Sequence, residues 1–165
     1  MDTCTDILGI RPIQPADNKD IASIIRNTFI EFGIDKPGTT FYDSSLDDMY
    51  GSFQLPGSCY YIGHINDRIA GGGGIFPSPG LPPGTCELVK MYLSSEARGK
   101  GLGRQIIERS LAFAGKSGYR HVYIETMPEL RKAMSVYEKL GFYYLDGPMG
   151  NTGHYGCSIW MLKDL

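Results

Sequence analysis

Three glycines at alternating positions, Gly99, Gly101 and Gly103, are interleaved with the cations Lys100 and Arg104 in EARGKGLGRQIIERS (96–110), and an amphipathic run follows at once. Glycines at that density before a helix let the backbone approach a phosphate closely, because no Cβ intrudes and free helix-terminal amides face the anion. A GxxxxGK[ST] phosphate loop is absent. A GxGxxG dinucleotide fingerprint fails as well, since Arg104 stands where its last glycine belongs and the motif lies past the middle of the chain. Arg98-x-x-Gly101-x-Gly103 instead fits a strand-to-helix turn whose successive amides converge on one cavity, a site for a pyrophosphate. The plainer alternative is a glycine-rich loop that only turns the chain.

The elements that position this turn can be read from periodicity. ILGIRPI (7–13) reads as a strand, and the following segment, with Ile21, Ile24, Ile25, Thr28 and Phe32 at helical spacing, reads as a helix stopped by Gly33. SLDDMYGSF suggests a short second helix. CYYIGHI and RIAGGGGIF, joined by Asn66-Asp67, form a hairpin candidate, because both turn residues tolerate positive φ. CELVKMYL (86–93) is a strand leading toward the glycine turn, and Leu102, Ile106, Ile107, Leu111 and Ala114 trace one face of the helix after it. HVYIET, a helix through Tyr137 ending at Gly141, and the strands FYYL and SIWML complete one α/β unit with strands outnumbering helices.

Composition bounds the function classes. The 165 residues are 42% hydrophobic and 21% charged, which suits one domain with one core, so residues 1–165 read as a single domain. A net charge of −2 without a basic run gives no footprint for nucleic acid. The segment MDTCTDILGI has no leader pattern and no stretch has membrane-spanning length, so the expectation is a cytoplasmic protein without a membrane partner. Cys4, Cys59, Cys86 and Cys157 form no CxxC pair, and His64, His121 and His154 have no ligand spacing, so no metal is expected.

The glycine turn and a second motif together resemble the GNAT superfamily of acyl-CoA-dependent N-acyltransferases, over roughly residues 10–163. LVKMYLSSEARGKGLGRQIIERSL (88–111) is similar to the family's strand, Arg-x-x-Gly-x-Gly turn and helix. AMSVYEKLGF (133–142) is similar to its alanine, spacer, Tyr-Glu-x-Leu-Gly-Phe signature. The resemblance implies an α/β (α+β) fold: a GNAT-like mixed, mostly antiparallel sheet of about six to seven strands flanked by about four helices. It implies a single N-acetyltransferase domain with acetyl-CoA as co-substrate, and leaves a longer acyl group open. The expected acceptor is a small-molecule or peptide amine, and the expected state a monomer or homodimer. The family's asparagine seven residues before the tyrosine is Leu130 here, so that contact is absent or supplied otherwise.

Carried onto these positions, the backbone of Met91, Tyr92 and Leu93 serves the pantetheine arm and the thioester carbonyl. Arg98, Gly99, Lys100, Gly101, Leu102, Gly103 and Arg104 cradle the phosphates, mostly through backbone amides, Lys100 and Arg104 adding charge or standing as ordinary surface cations. Transfer to an amine needs a base for the amine and a proton for the departing thiolate. Tyr137 is the natural acid, since an ordinary phenol (~10) lies near an ordinary thiol (~8.5); a buried core tyrosine is its plain alternative. Thr126-x-x-Glu129 with Pro128 reads as a capping box that starts the tyrosine's helix. Two carboxylates compete as base. Glu87 alternates with Val89, Met91 and Leu93 on one side of its strand and matches the glutamate of the histone-acetyltransferase branch. Glu125, on the side opposite Val122 and Ile124, matches that of the ribosomal-protein branch. Either can instead be a structural charge.

The acceptor is expected between the region Phe32 to Phe53, with Tyr42, and the loop carrying His154; Asp43, Asp47 and Asp48 are candidates for attracting a cationic amine. Gly71 to Gly74 are expected to make room near the cofactor or substrate. The rivals to an enzyme are a catalytically silent acyl-CoA-binding sensor or interaction module, and a nucleotide-binding protein using the glycines for ATP or NAD.

Overall fold

The structure is a computed structural model that describes residues 4–165. The first three residues, which belong to the segment read as lacking a leader and to the single-domain span, lie outside the described residues. In chain order the elements are β1 (Leu8–Pro12), α1 (Asn18–Glu31), α2 (Met49–Ser52), β2 (Cys59–Ile65), β3 (Arg68–Phe76), β4 (Thr85–Leu93), α3 (Leu102–Lys116), β5 (His121–Thr126), α4 (Arg131–Lys139), β6 (Tyr143–Leu145) and β7 (Ile159–Asp164). Short 3-10 turns at Thr40–Tyr42 and Ser44–Asp48 fill the stretch before α2. Among the described residues no helix is long and apolar enough to cross a membrane.

The seven strands form one sheet in the order β1-β2-β3-β4-β5-β7-β6, antiparallel except for β4 against β5. The β2–β3 hairpin turns through Asn66 (φ 49°) and Asp67 (φ 66°), the two positive-φ positions of a tight hairpin loop. On one face, Ile21, Ile25 and Phe29 of α1 pack with Met49, Phe53, Tyr60 and Ile62. On the other, Ile107 and Ala114 of α3 and Tyr137 of α4 pack with Leu88, Val122, Ile124 and Met161. Burying both faces of the sheet leaves its ends as the places where backbone can meet a ligand.

The pairing of β4 decides where that happens. Its ladder with β5 covers only Thr85–Glu87 against His121–Tyr123, so the length from Leu88 to Leu93 has no strand partner on that side. On its other side β4 spends one residue more than β3 between the Gly74–Val89 and Gly72–Tyr92 pairs, and Lys90 takes φ 51° there. This is a β-bulge, and it resets the side-chain alternation. Glu87 therefore does not share a face with Met91 and Leu93, as strict alternation predicts. Val89 and Tyr92 pack on the α1 face, while Leu88, Met91 and Leu93 pack on the α3 face.

One other local expectation is corrected. Thr126 is the last residue of β5, paired with Ile159, and α4 starts at Arg131 after a turn from Met127 to Leu130. The ladder claims Thr126, so no capping box forms. Gly71 to Gly74 lie at the bulge and take close neighbours: a Cβ on Gly71 would meet the Tyr92 carbonyl at 2.2 Å, one on Gly72 the Tyr60 ring at 2.5 Å, and one on Gly73 the Met91 sulfur at 2.5 Å.

Candidate active site

Glu87 is the last β4 residue paired with β5, and it stands where the two strands part. Its side chain is 3% exposed, and one carboxylate oxygen accepts a 2.8 Å hydrogen bond from Ser78 Oγ. Burial raises its pKa from the usual carboxylate range to about 7; the Ser78 hydrogen bond opposes that rise, the Glu125 charge adds to it, and His154 and Lys90 pull it back. A carboxylate so placed is ionised in part at neutral pH and takes a proton readily.

The structure brings the second candidate to the same place. Glu125 projects from β5 on the side opposite Val122 and Ile124, as its register requires. Its oxygens are each taken, Oε1 by Tyr123 OH at 2.8 Å and Oε2 by Thr152 Oγ1 at 2.6 Å. The Tyr123 oxygen in turn accepts from the Met149 amide at 3.0 Å, which anchors the β6–β7 segment over the site. Donor atoms of Glu87, Glu125 and His154 all lie within 4.8 Å of one another, close enough to share one cation, whether an ammonium group or a metal ion. The space they border is about 30 Å³, with Phe29, Thr40, Lys90 and Cys157 also lining it.

His154 reaches this cluster by a clasp to a distant segment. Its Nε2 lies 2.9 Å from Asp43 Oδ2, and Asp43 also accepts from Lys90 Nζ at 3.0 Å. Burial opposes the ionised Asp43, but the His154 hydrogen bond and the Lys90 charge outweigh it and hold the carboxyl below its ordinary value. Burial likewise disfavours the His154 cation, and the bond and charge of Asp43 outweigh that and raise its pKa. Of the three aspartates proposed from the sequence, only Asp43 comes to the site. Asp47 pairs with Arg26 and Asp48 caps α2. Tyr42, stacked edge-on against Phe41 at 5.1 Å and 61% exposed, lies outside the cavity. Ser78, Lys90, Tyr123 and Thr152 carried no sequence signal, since each acts by tertiary approach. Burial pushes the Cys157 thiol up to about 12, which keeps it protonated and poorly nucleophilic at neutral pH.

The glycine turn lies beyond the other end of β4. Gly99 (φ 77°) and Gly101 (φ 85°) both take the left-handed region, and Gly101 caps α3. Gly103 lets α3 sit on Leu93, whose Cδ1 a Cβ would meet at 3.2 Å. Among the described residues, the amides from Gly99 to Arg104 have no backbone acceptor. A Cβ on Gly99 would meet nothing within 4 Å, so the turn leaves open space at that residue. The three cations around it are each paired: Arg98 forks onto Glu31 at 2.7 and 2.8 Å, Lys100 meets Asp6, and Arg104 meets Glu108. Arg98 also donates to the Leu93 carbonyl and lies over the Phe32 ring, so its side chain ties the turn to α1. Donors without partners at a helix N-terminus suit a pyrophosphate.

Tyr137, on α4, is 5% exposed and packs edge-on against Phe142 at 5.7 Å. Burial alone raises its pKa, and its charge would act on Tyr92 of β4, which places the two phenols within electrostatic reach. The phenol therefore stays protonated across the neutral range.

Comparison with known proteins gives a consistent picture. Residues 19–142 match the family described as acetyltransferase (GNAT). The chain is 37% identical over 158 residues to the uncharacterized N-acetyltransferase YjgM of Escherichia coli K12, covering 94% of each chain. Its fold is similar to an acetyltransferase of the GNAT family from Staphylococcus aureus, with TM-score 0.85 and 16% identity over 96% of this chain and 99% of the other. It is similar also to a phosphinothricin acetyltransferase from Sinorhizobium meliloti in complex with acetyl-CoA, with TM-score 0.75 and 18% identity over 96% of this chain and 88% of the other.

Proposed function

The chain belongs to the acetyltransferase (GNAT) family, and from that premise we propose that it transfers the acetyl group of acetyl-CoA to a primary amine by direct attack, with Glu87 as general base and Tyr137 as general acid. The observation that carries the reading is Glu87 itself, a buried carboxylate poised near 7 where β4 leaves β5.

The amides of Gly99 to Arg104 would hold the pyrophosphate and the strand-free edge of β4 at Met91 to Leu93 the pantetheine arm, a fit supported by their lack of internal partners. When bound, acetyl-CoA supplies the activated acyl group. The acceptor enters as an ammonium ion, which Glu87 and Glu125 attract. Glu87 takes its proton and exposes the nitrogen lone pair; Glu125, with both oxygens engaged, fixes the surroundings. The β4 amides are placed to polarise a carbonyl, and Tyr137 Oη offers its proton to the departing sulfur. Because burial raises the phenol, its contribution is hydrogen-bond donation to that sulfur as charge develops, a tighter role than matching of ordinary pKa values suggests. Cys157 supports direct attack, since a thiol near 12 does not form an acyl-enzyme readily. No metal is used in this scheme. One domain, a small-molecule or peptide acceptor and a monomeric or homodimeric state complete the proposal.

The test is acetyl-CoA-dependent release of free thiol across a library of amines, paired with acetyl-CoA binding. Turnover with at least one amine is expected. Tight binding without turnover on any amine would instead indicate a silent sensor.

A further inference from the structure

Glu87 is 3% exposed, and a buried base must discharge its proton in every turnover before it can act again. The Asp43–His154 pair is so far unexplained by the base and the acid. His154 stands on the segment joining β6 and β7, and Asp43 lies 111 residues earlier between two 3-10 turns. An ionised carboxylate only accepts, so Asp43 fixes the imidazole proton on Nε2 and leaves Nδ1 as the basic nitrogen. Nδ1 lies 3.7 Å from Glu125 Oε2, and the cluster that unites His154 with Glu87 spans no more than 4.8 Å. The space of about 30 Å³ that these groups border admits a water molecule able to bridge them. At the other end, the Asp43 side chain is 24% exposed.

Carboxylate, imidazole and carboxylate thus connect the buried Glu87 to the partly exposed Asp43. We infer that His154, held by Asp43, is the proton exit of this site, a positioning residue that acts through Glu87 and returns it to its basic form. The inference rests on the acetyl-transfer reading above. In the step, the amine N–H bond breaks as an O–H bond forms on Glu87. That O–H then breaks as an N–H bond forms at His154 Nδ1, directly or across one water, giving an imidazolium held by Asp43. The Nε2 proton leaves through Asp43 to water, and exchange with water restores the original tautomer. The adduct's second nitrogen proton replaces the one that Tyr137 gives to the departing sulfur, so one proton departs per turnover and no electrons are transferred to an outside partner. The groups facing the imidazole are Asp43, Lys90 through Asp43, Glu87 from β4, Glu125 from β5, and Thr152, whose Oγ1 accepts from the His154 amide.

The experiment compares wild-type protein with His154→Gln, His154→Gly and Asp43→Asn, measuring kcat, acceptor KM, melting temperature and the pH dependence of kcat. Glutamine keeps a donor for Asp43 but cannot carry a proton through. It should lower kcat by about 10- to 100-fold with acceptor KM changed by less than about threefold. In His154→Gly, added imidazole should restore a substantial part of kcat. In Asp43→Asn the rising limb of the kcat profile should move to lower pH, because the carboxylate raises the imidazole and Lys90, now unpaired, lowers it. A wild-type kcat and pH profile in His154→Gln would overturn the inference. So would a loss confined to acceptor KM or melting temperature with no response to imidazole, which marks a structural clasp. Absence of acetyl transfer by the wild type on any amine would overturn the parent reading and this one with it.

Discussion

Glu87→Gln should make the protein more stable and far less active, and both effects should depend on pH. The carboxyl shifts from its ordinary value of 4.5 to about 7 in the folded protein. Between these values the folded state binds more protons than the unfolded state, so this group's contribution is fully present below pH 4.5 and is lost as pH rises to about 7. A shift of that size corresponds to about 3 kcal/mol of stability given up by the wild type above pH 7. Glutamine is neutral at every pH, can still accept from Ser78, and removes the repulsion with Glu125. Urea denaturation of both proteins at about pH 5 and about pH 8 reads the effect as a difference of differences, in which groups common to both largely cancel. The variant should gain about 2 to 3 kcal/mol relative to wild type between the two conditions. On the same preparations, turnover should fall by a factor of ~10² to 10⁴, with the loss smaller at high pH where more amine is already neutral. Parallel stability curves would refute the poised, desolvated carboxylate. Turnover within a few-fold of wild type would refute its role as base.

Tyr137→Phe should cost about two orders of magnitude in turnover with acetyl-CoA affinity little changed, and the melting temperature should hold because the ring contact with Phe142 is kept; full turnover per folded molecule would remove the acid. Gly101→Val should abolish the rise in melting temperature that acetyl-CoA causes in the wild type, and should itself lower stability by about 1 to 2 kcal/mol because a branched residue is strained at φ 85°. A retained thermal shift would exclude the phosphate cradle. Glu125→Gln turns one carboxylate oxygen into a donor facing the hydroxyl of Tyr123 or Thr152, so denaturation should show a loss of about 1 to 3 kcal/mol at neutral pH. Its turnover should fall less than that of Glu87→Gln, and the reverse order would make Glu125 the base.

The sequence by itself determined the elements, and it did so where local chemistry is strong. The Asn66-Asp67 turn, the apolar face of α3 and the glycines around its start each follow from backbone preference and periodicity within a few residues. The same locality exposed the glycine turn and the Tyr137 signature, because a phosphate cradle and a helix face are built from neighbours in the chain. The face of β4 beyond Val89 was not legible, since a one-residue bulge at Lys90 arises from how β4 pairs with β3, and strict alternation has no sign of it. Thr126 shows the same limit: its capping pattern is sound locally, and the ladder with β7 overrides it. The chemistry of the site lies further still from local reading. The Glu87 carboxyl rises to about 7 only because the fold buries it beside Glu125, and His154 meets Asp43 only because the tertiary fold brings the β6–β7 segment to it. Desolvation and the electrostatic coupling of groups 29 to 111 residues apart depend on distances through space, and those exist only once the sheet has formed.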